Sequence, residues 1–489
     1  MATPSNAGGP MRLLPERWDS HITSVKGVLL ITMAIASGCQ GIFGMTWLKM
    51  PVLAGMILYS IMITLSGTRV VRIFLLLGLI CIPLTFTYVD DAWQVINEGT
   101  VRAQLFLSFF TAIMVLREPA FRSPLLQEAG KIIVRQTQMR RVLLLLLGSH
   151  LFGLMMNMGS VVLLGSIAST HNKKEGADEP DFAQRQSALA IIQGFVSTLM
   201  WSPLSLAPIV VVSLMPGLTS STIISLGLIG ALLLFILSFV VSQLEIWLRR
   251  RQEIAVVPEV SRPEANSFLK ILVRVLLLVV TIFSAITFLS MLASVGIAVA
   301  VTLAIPFIAF IWLLVQTGGD LGACLRGPVT NMIFRTLPLQ SSEVGILMVA
   351  GFMGPVLVSL MPSAEIVTFL HSHHVWPGLI VLASFFAIVV GGVVAVNPLI
   401  SVTIVLGVIA DPIALGIHPV FLAMSILTAW AVASELSPFT GVSLVTAGMF
   451  GVKSTTLTLV WNRLFGIITL TICTIIILIV GELTALPIP

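Results

Sequence analysis

Charge is what this chain has least of. Only 10% of its 489 residues are Asp, Glu, Lys or Arg, against 57% that are apolar, where soluble domains carry about a quarter charged residues. Mean hydropathy is +1.07. That balance excludes a soluble globular protein and implies a polytopic membrane protein, because many runs exceed the ~18 apolar residues that suggest a spanning helix. Cysteine is scarce too. Cys39, Cys81, Cys324 and Cys473 are scattered with no CxxC, which leaves neither a disulfide framework nor a thiolate metal site. There is no HExxH, no GxSxG and no GxxxxGK[ST], so a zinc peptidase, a serine hydrolase and direct ATP drive lack their motifs, and no cofactor is called for. The net charge of +5 fits basic residues held on a cytoplasmic membrane face and not a nucleic-acid partner. The N-terminus, MATPSNAGGPMRLLPERWDS, shows no short apolar core before a cleavage site, so no signal peptide is expected.

What is present is a pair of matching stretches. Asn157 sits in a Gly-rich apolar run (NMGS), and about forty residues later comes WSPLSLAP; Asn397 opens NPLIS, and about forty residues later comes SELSPFTG. Ser202-Pro203 aligns with Ser437-Pro438, and Ser205 with Thr440. Proline in mid-helix removes a backbone donor and presses on the preceding turn, so both helices are expected to break there. Lipid cannot satisfy the freed peptide groups, and such breaks persist only where they line a cavity or bind something. Two of them at corresponding positions of two halves point to a transporter's binding site.

Basic clusters set the expected topology. Spans over about Lys26–Phe43, Pro51–Leu65, Val70–Tyr88 and Ala103–Leu116 place Arg69 and Arg72 inside and Asp90, Asp91 and Glu98 outside, with the N-terminus cytoplasmic. Arg117–Arg141 reads as a basic amphipathic arm on the inner surface. Residues 142–170 then form a re-entrant hairpin with Asn157 at its tip, since arms of about fourteen residues at about 1.5 Å each cannot cross a ~30 Å core. A broken helix over 187–216 and a span over Thr219–Trp247 complete a first repeat, 51–250, after an N-terminal segment and first helix, 1–50. A basic linker, 251–267, leads to a second repeat, 268–489, in the opposite orientation. Its scaffold spans run about Phe268–Leu292, Val295–Leu314 and Val344–Leu360; its hairpin, 376–410, enters from outside with Asn397 at the tip; its broken helix is 420–450; and its C-terminus lies outside. The expectation is an all-α polytopic protein of about eleven transmembrane helices plus two re-entrant hairpins in two inverted repeats, integral to a bacterial inner or plasma membrane and in contact with lipid.

This layout resembles the ion-transporter superfamily, whose best-known branch is the divalent anion/sodium symporters. The tips read Met156-Asn157-Met158-Gly159 and Val396-Asn397-Pro398, and the shared Asn is what the resemblance rests on at the level of motif. It implies that Asn157 and Asn397 bridge substrate and coupling cation, that the hairpins and broken helices slide as one block in an elevator mechanism, and that the scaffold is a homodimer.

The site residues read on their own chemistry are Asn157, Gly159, Ser160, Ser202, Pro203, Ser205, Asn397, Ser401, Glu435, Ser437, Pro438 and Thr440. An Asn amide offers both a donor and an acceptor. Helix N-termini at tips and breaks suit a carboxylate without any Arg. Carbonyls freed at the breaks, with the hydroxyls, suit Na⁺; the plainer role for those hydroxyls is to bond back to their own helix. Glu435, deep in an apolar run and aligned with Met200, has to be protonated, paired or cation-bound. His150, seven residues before Asn157, either faces substrate or is a packed histidine. His371, His373 and His374 are too close together on one stretch to make a metal site alone. The expected function is secondary active transport of a small organic anion coupled to Na⁺ or H⁺, with a cation/proton antiporter using Glu435 as the alternative. A lipid-handling or intramembrane enzyme lacks a nucleophile–base pair at depth, and a channel would show flux above carrier rates.

Overall fold

The computed structural model describes residues 16–170, 180–215, 217–250 and 265–484. Among the described residues all regular structure is helical. In chain order the helices are α1 (Glu16–Phe43), α2 (Lys49–Ser66), α3 (Arg69–Tyr88), α4 (Ala92–Arg122), α5 (Pro124–Val134), α6 (Gln138–Met156), α7 (Met158–Thr170), α8 (Phe182–Val196), α9 (Leu206–Leu214) and α10 (Ser220–Arg250). They continue as α11 (Ala265–Ala293), α12 (Ile297–Gln316), the short α13 (Leu321–Cys324) and α14 (Leu337–Leu339), α15 (Ser341–Leu360) and α16 (Ser363–Ser372). The last are α17 (Pro377–Val393), α18 (Pro398–Val408), α19 (Pro419–Leu436), α20 (Gly441–Phe450) and α21 (Arg463–Leu483). Among the described residues, eleven helical stretches are long and apolar enough to cross a membrane.

Local sequence explains where several elements start. Proline at the first helical position has no N–H to leave unsatisfied and a preset φ, and Pro124, Pro377, Pro398 and Pro419 open α5, α17, α18 and α19. Asp181 caps α8 through a capping box: its carboxylate accepts from Gln184 N at 2.8 Å, and Gln184 Oε1 accepts from Asp181 N at 3.2 Å.

The eleven stretches are not the eleven read from the sequence. Gln138–Met156 is among them, because α6 is 19 residues long, more than the fourteen of the expected hairpin arm. The stretch over 187–216 is not, because its break leaves pieces of 15 and 9 residues in α8 and α9. Arg140 and Arg141 look like an interfacial boundary, yet they lie in the first turn of α6 with Arg141 buried. The basic arm is likewise shorter. Arg117 and Arg122 belong to α4, and only α5 has the amphipathic pattern, burying Leu126, Ala129, Gly130, Ile133 and Val134 while Glu128, Lys131 and the following Arg135 are exposed. Residues 251–264 of the expected linker, residues 171–179, Pro216 and the last five residues lie outside the described residues.

The helices form two compact units, each drawing on both halves of the chain: Met1–Pro119 with Ser284–Leu360, and Ala120–Phe283 with Met361–Pro489. The first has a core around Leu30, Tyr59, Ile63, Leu107, Val344 and Met348. In it the Tyr59 hydroxyl donates to Ser341 O at 2.6 Å, and Glu118 accepts from Asn331 Nδ2 and Thr336 Oγ1, each at 2.9 Å. The second unit carries every candidate site residue named above.

Candidate functional site

The second unit is built from two look-alike four-helix sets. In the first, α6 turns at Asn157 into α7, and α8 is interrupted before α9; in the second, α17 turns at 394–397 into α18, and α19 is interrupted before α20. α6 lies along α8 as α17 lies along α19. The sets then cross: α7, from the first tip, packs on α20 beyond the second break, and α18, from the second tip, packs on α9 beyond the first break. The approach is close, since a Cβ added at Gly441 would stand 3.1 Å from Met158 Cε.

Both Ser-Pro dipeptides lie in the interruptions of their helices, the first reached through a 3₁₀ turn, Ser197–Met200, after α8 ends at Val196, and the second directly at the end of α19. Ser202 N donates to Thr198 O (3.0 Å) and Ser437 N to Ala433 O (3.0 Å). Each serine hydroxyl then accepts an N–H two residues on, Leu204 N at 3.1 Å and Phe439 N at 3.1 Å. This local turn competes with the helical ladder. Ser437 Oγ also donates to Gly392 O at 2.6 Å, which fastens the second break to α17. Thr440 bonds back to Ser434 O at 2.8 Å, the plainer role considered for such hydroxyls, whereas the Ser205 hydroxyl is buried with no partner.

The tips differ. Asn157 has φ 49° and ψ −131°, a left-handed setting unfavourable for any side chain, and its Oδ1 accepts from Met158 N at 2.8 Å. Its backbone carbonyl accepts from Ser160 N and Ser160 Oγ, and Gly159 is buried beside them. Asn397 is exposed and caps α18, accepting from Leu399 N at 2.9 Å, while Ser401 is buried one turn on. Before it, α17 ends in a Schellman motif: Val396 N donates to Gly391 O at 2.8 Å and Ala395 N to Gly392 O at 3.2 Å, with Ala395 at φ 72°.

Glu435 is buried at the C-terminal end of α19, one residue before the break. Its Oε1 accepts from Asn462 Nδ2 at 3.1 Å, and Asn462 Oδ1 accepts from Gln193 Nε2 at 3.1 Å. Glu435 Oε2 and Gln193 Oε1 are buried without a partner. Gln193 and Asn462 are absent from the sequence-derived site. The signal that singles out Glu435, a polar residue inside an apolar run, also marks Gln193 in ALAIIQGFV and Asn462 in TLVWNRLF.

His150 is a packed histidine. Trp201 Nε1 donates to its Nε2 at 3.3 Å, Ser197 Oγ lies 2.7 Å from its Nδ1, and its ring stacks on Trp201. Because the Ser197 hydroxyl donates to Gly194 O, the Nδ1 proton is the one that closes the chain. His373 and His374 are exposed, and the His371 side chain lies outside the described residues. Among the described residues no group of three or more His, Cys, Asp or Glu is placed to hold a metal ion.

Among the described residues, eleven apolar helical stretches, one of them the Pro419–Phe450 stretch that holds the second interruption, define an all-helical, polytopic membrane protein. Among solved structures, the chain is similar to the YdaH transporter of Alcanivorax borkumensis, whose crystal structure is described as revealing an unusual topology. The TM-score is 0.57 at 13% identity, over 85% of this chain and 99% of that one, so what the two have in common is the fold. No family model and no curated protein matches the sequence.

Proposed function

We propose that the chain is a secondary active transporter that moves a small, carboxylate-like organic anion across an inner or plasma membrane, coupled to Na⁺ or H⁺. The observation that carries this reading is the crossed packing of α7 on α20 and α18 on α9 within one compact unit. It gathers two tips and two interruptions, and so collects helix N-termini, freed carbonyls and the Asn157 and Asn397 amides in one body. Helix N-termini attract an anion, carbonyls attract a cation, and lipid at that depth satisfies neither. The unit bearing the tips and breaks is the moving body of an elevator mechanism, α6–α7 and α17–α18 are its re-entrant hairpins, and the working form is a homodimer with cytoplasmic N-termini and external C-termini. The two inverted repeats, 51–250 and 268–489, are the units of that symmetry.

The test is a thermal-shift screen of purified full-length protein against carboxylates, sulfonates and phosphorylated metabolites, with and without Na⁺. One solute class is expected to raise the melting temperature, and Asn157→Ala and Asn397→Ala to abolish that rise while still folding, each shift being read against the variant's own solute-free melting temperature, which loss of the bonds to Met158 N and Leu399 N lowers. Solute shifts that persist in both variants would sink the site. A second reading, a cation/proton antiporter, draws on the unpartnered oxygen of Glu435. Na⁺ flux with no organic solute would favour it.

A further inference from the structure

Between two spanning helices of the first unit lies a helical run that does not itself cross. α12 ends at Gln316 and α15 starts at Ser341, and both are long and apolar enough to span. Whatever joins two successive spans begins and ends on the same face of the membrane. Here the join is one continuous helical run over 321–339, in which α13, two π turns (Leu325–Val329 and Met332–Thr336) and α14 follow one another without a break. Asp320 caps its start, accepting from Ala323 N at 3.0 Å. An α-helix has about 3.6 residues per turn, so residues four apart drift by about 40° at every step. Cys324, Pro328 and Met332 are buried at that spacing, and Leu337 is buried five residues on. The wider π turns absorb the drift and keep these residues on one side.

That side is firmly seated. Asn331 and Thr336 both donate to Glu118 of α4 through the hydrogen bonds given above. No Cβ fits at Gly27 of α1, because Ile333 O and Pro338 Cγ occupy its place. Gly27 is the sixth residue of the α1 stretch apolar enough to cross, Ile22–Phe43, so the run lies about 7–8 Å inside that end. A helix lying in the membrane plane buries its apolar face about 5–10 Å into the boundary between headgroups and acyl chains. The opposite side of the run is exposed. It presents Leu321, Leu325, Phe334 and Leu339, with Arg326 and Arg335 exposed next to Leu325 and Phe334. No Asp or Glu occurs between Asp320 and Glu343.

We propose that 321–339 is an in-plane anchor for anionic phospholipid. Arg326 and Arg335 each hold a headgroup phosphate, while Leu321, Leu325, Phe334 and Leu339 dip among the acyl chains. Lipid is the occupant that matches both features at once. An apolar face with two cations, set where hydrocarbon gives way to phosphate, complements a leaflet that presents those same two chemistries in the same order. A guanidinium offers its N–H donors in a fork that fits phosphate oxygens in pairs. A second copy of the chain fits worse. A two-fold contact would set the patch against itself, bringing arginine to arginine with no acidic residue of the run between them. With the N-terminus cytoplasmic, as proposed above, the leaflet is the inner one, because Gly27 stands near the N-terminal end of α1. The proposal concerns the first unit alone and stands whether or not the second carries a solute.

The test is titration of purified, delipidated full-length protein in detergent with phosphatidylglycerol or phosphatidylcholine, read by melting temperature and by native mass spectrometry of retained lipid. Phosphatidylglycerol is expected to raise the melting temperature further than phosphatidylcholine does, and added NaCl to narrow the difference. A basic side chain near an anionic surface contributes about fivefold in affinity. Arg326→Gln combined with Arg335→Gln should therefore weaken the tightest phosphatidylglycerol binding about thirtyfold and leave phosphatidylcholine binding in place. Arg326→Lys combined with Arg335→Lys, which keeps both charges, should retain most of it. In nanodiscs holding a phospholipid with a photoreactive group on its acyl chain, cross-links to the unaltered protein are expected within 321–339. Equal phosphatidylglycerol affinity in wild type and the Gln pair, or no acyl cross-link within that run, overturns the proposal. So does a loss of dimer in the Gln pair in phosphatidylcholine alone, which assigns the face to a second copy. The cross-linking uses the unaltered chain, so it answers even where a variant fails to fold.

Discussion

Gly227 of α10 is where a single methyl group should do most harm. A Cβ at that position would lie 2.1 Å from Met200 O, 2.9 Å from Met200 C and 3.0 Å from Trp201 Cα, the backbone that leads into the first break. Reaching 3.4 Å from that oxygen requires α10 or the break to back off by about 1.3 Å. No rotamer change can relieve it, because the obstructing atoms are main chain. Gly230 is the internal control, one turn along the same helix. Its Cβ would meet Met200 Cε at 2.6 Å, the free end of a flexible side chain that can swing aside. Alanine is intrinsically favoured over glycine within a helix by about 1 kcal/mol, whereas overpacking typically costs about 1–3 kcal/mol and a fixed backbone sits at the upper end. Gly230→Ala should therefore be neutral or slightly stabilising, and Gly227→Ala destabilising by about 1–2 kcal/mol net. Thermal unfolding in detergent, read by intrinsic fluorescence, checks the order. Trp201 sits on the affected backbone and stacks on His150, so its emission should shift in Gly227→Ala before global unfolding. If Gly227→Ala melts at or above Gly230→Ala, the close approach of α10 to the break is wrong.

Three further outcomes follow from the same geometry. Asn157→Gly removes the side chain from a residue at φ 49° and should keep or raise thermal stability, by up to about 1–2 kcal/mol, while losing any solute-induced shift; loss of stability would mean that the side chain, and not the backbone, holds the tip. Ser437→Ala strips partners from both Gly392 O and Phe439 N and should cost about 1–3 kcal/mol, while Ser202→Ala, which loses the bond to Leu204 N, should cost about 0.5–1.5 kcal/mol; denaturant titrations giving equal costs would contradict the unequal anchoring of the two breaks. Ala395→Gly, at φ 72° in the Schellman turn, should raise the melting temperature by the equivalent of about 1 kcal/mol, and a fall would refute the turn.

Much of the site was legible in the sequence because its signals are local. The two Ser-Pro dipeptides mark the two breaks, and proline at the head of α17, α18 and α19 marks their starts. Proline alone does not break a helix here. Pro83, Pro119, Pro306 and Pro355 sit inside continuous helices. At the two breaks the preceding serine receives an N–H from beyond the proline, and that competing turn keeps the helix open. Element ends were harder to place. α4, expected from Ala103, begins at Ala92, because Gln94, Asn97, Glu98 and Arg102 look like loop residues in a span. Gln193 and Asn462 stand out as polar residues in apolar runs, but that they meet at Glu435 was not legible. Gln193 and Asn462 are 269 residues apart, and no helical period links side chains that meet only through tertiary packing.

One corner of the molecule grips α8 at two heights. Arg185 Nη2 donates to Trp461 O at 2.7 Å and reaches Glu245, while the next residue, Asn462, takes the amide of Gln193 two turns further along. A helix held at both points can neither twist about its axis nor slip by a residue without releasing both grips together. A disturbance at the Arg185–Glu245 end is therefore delivered mechanically to the carboxyl group about 10–12 Å away, as turning the bow of a key turns its bit.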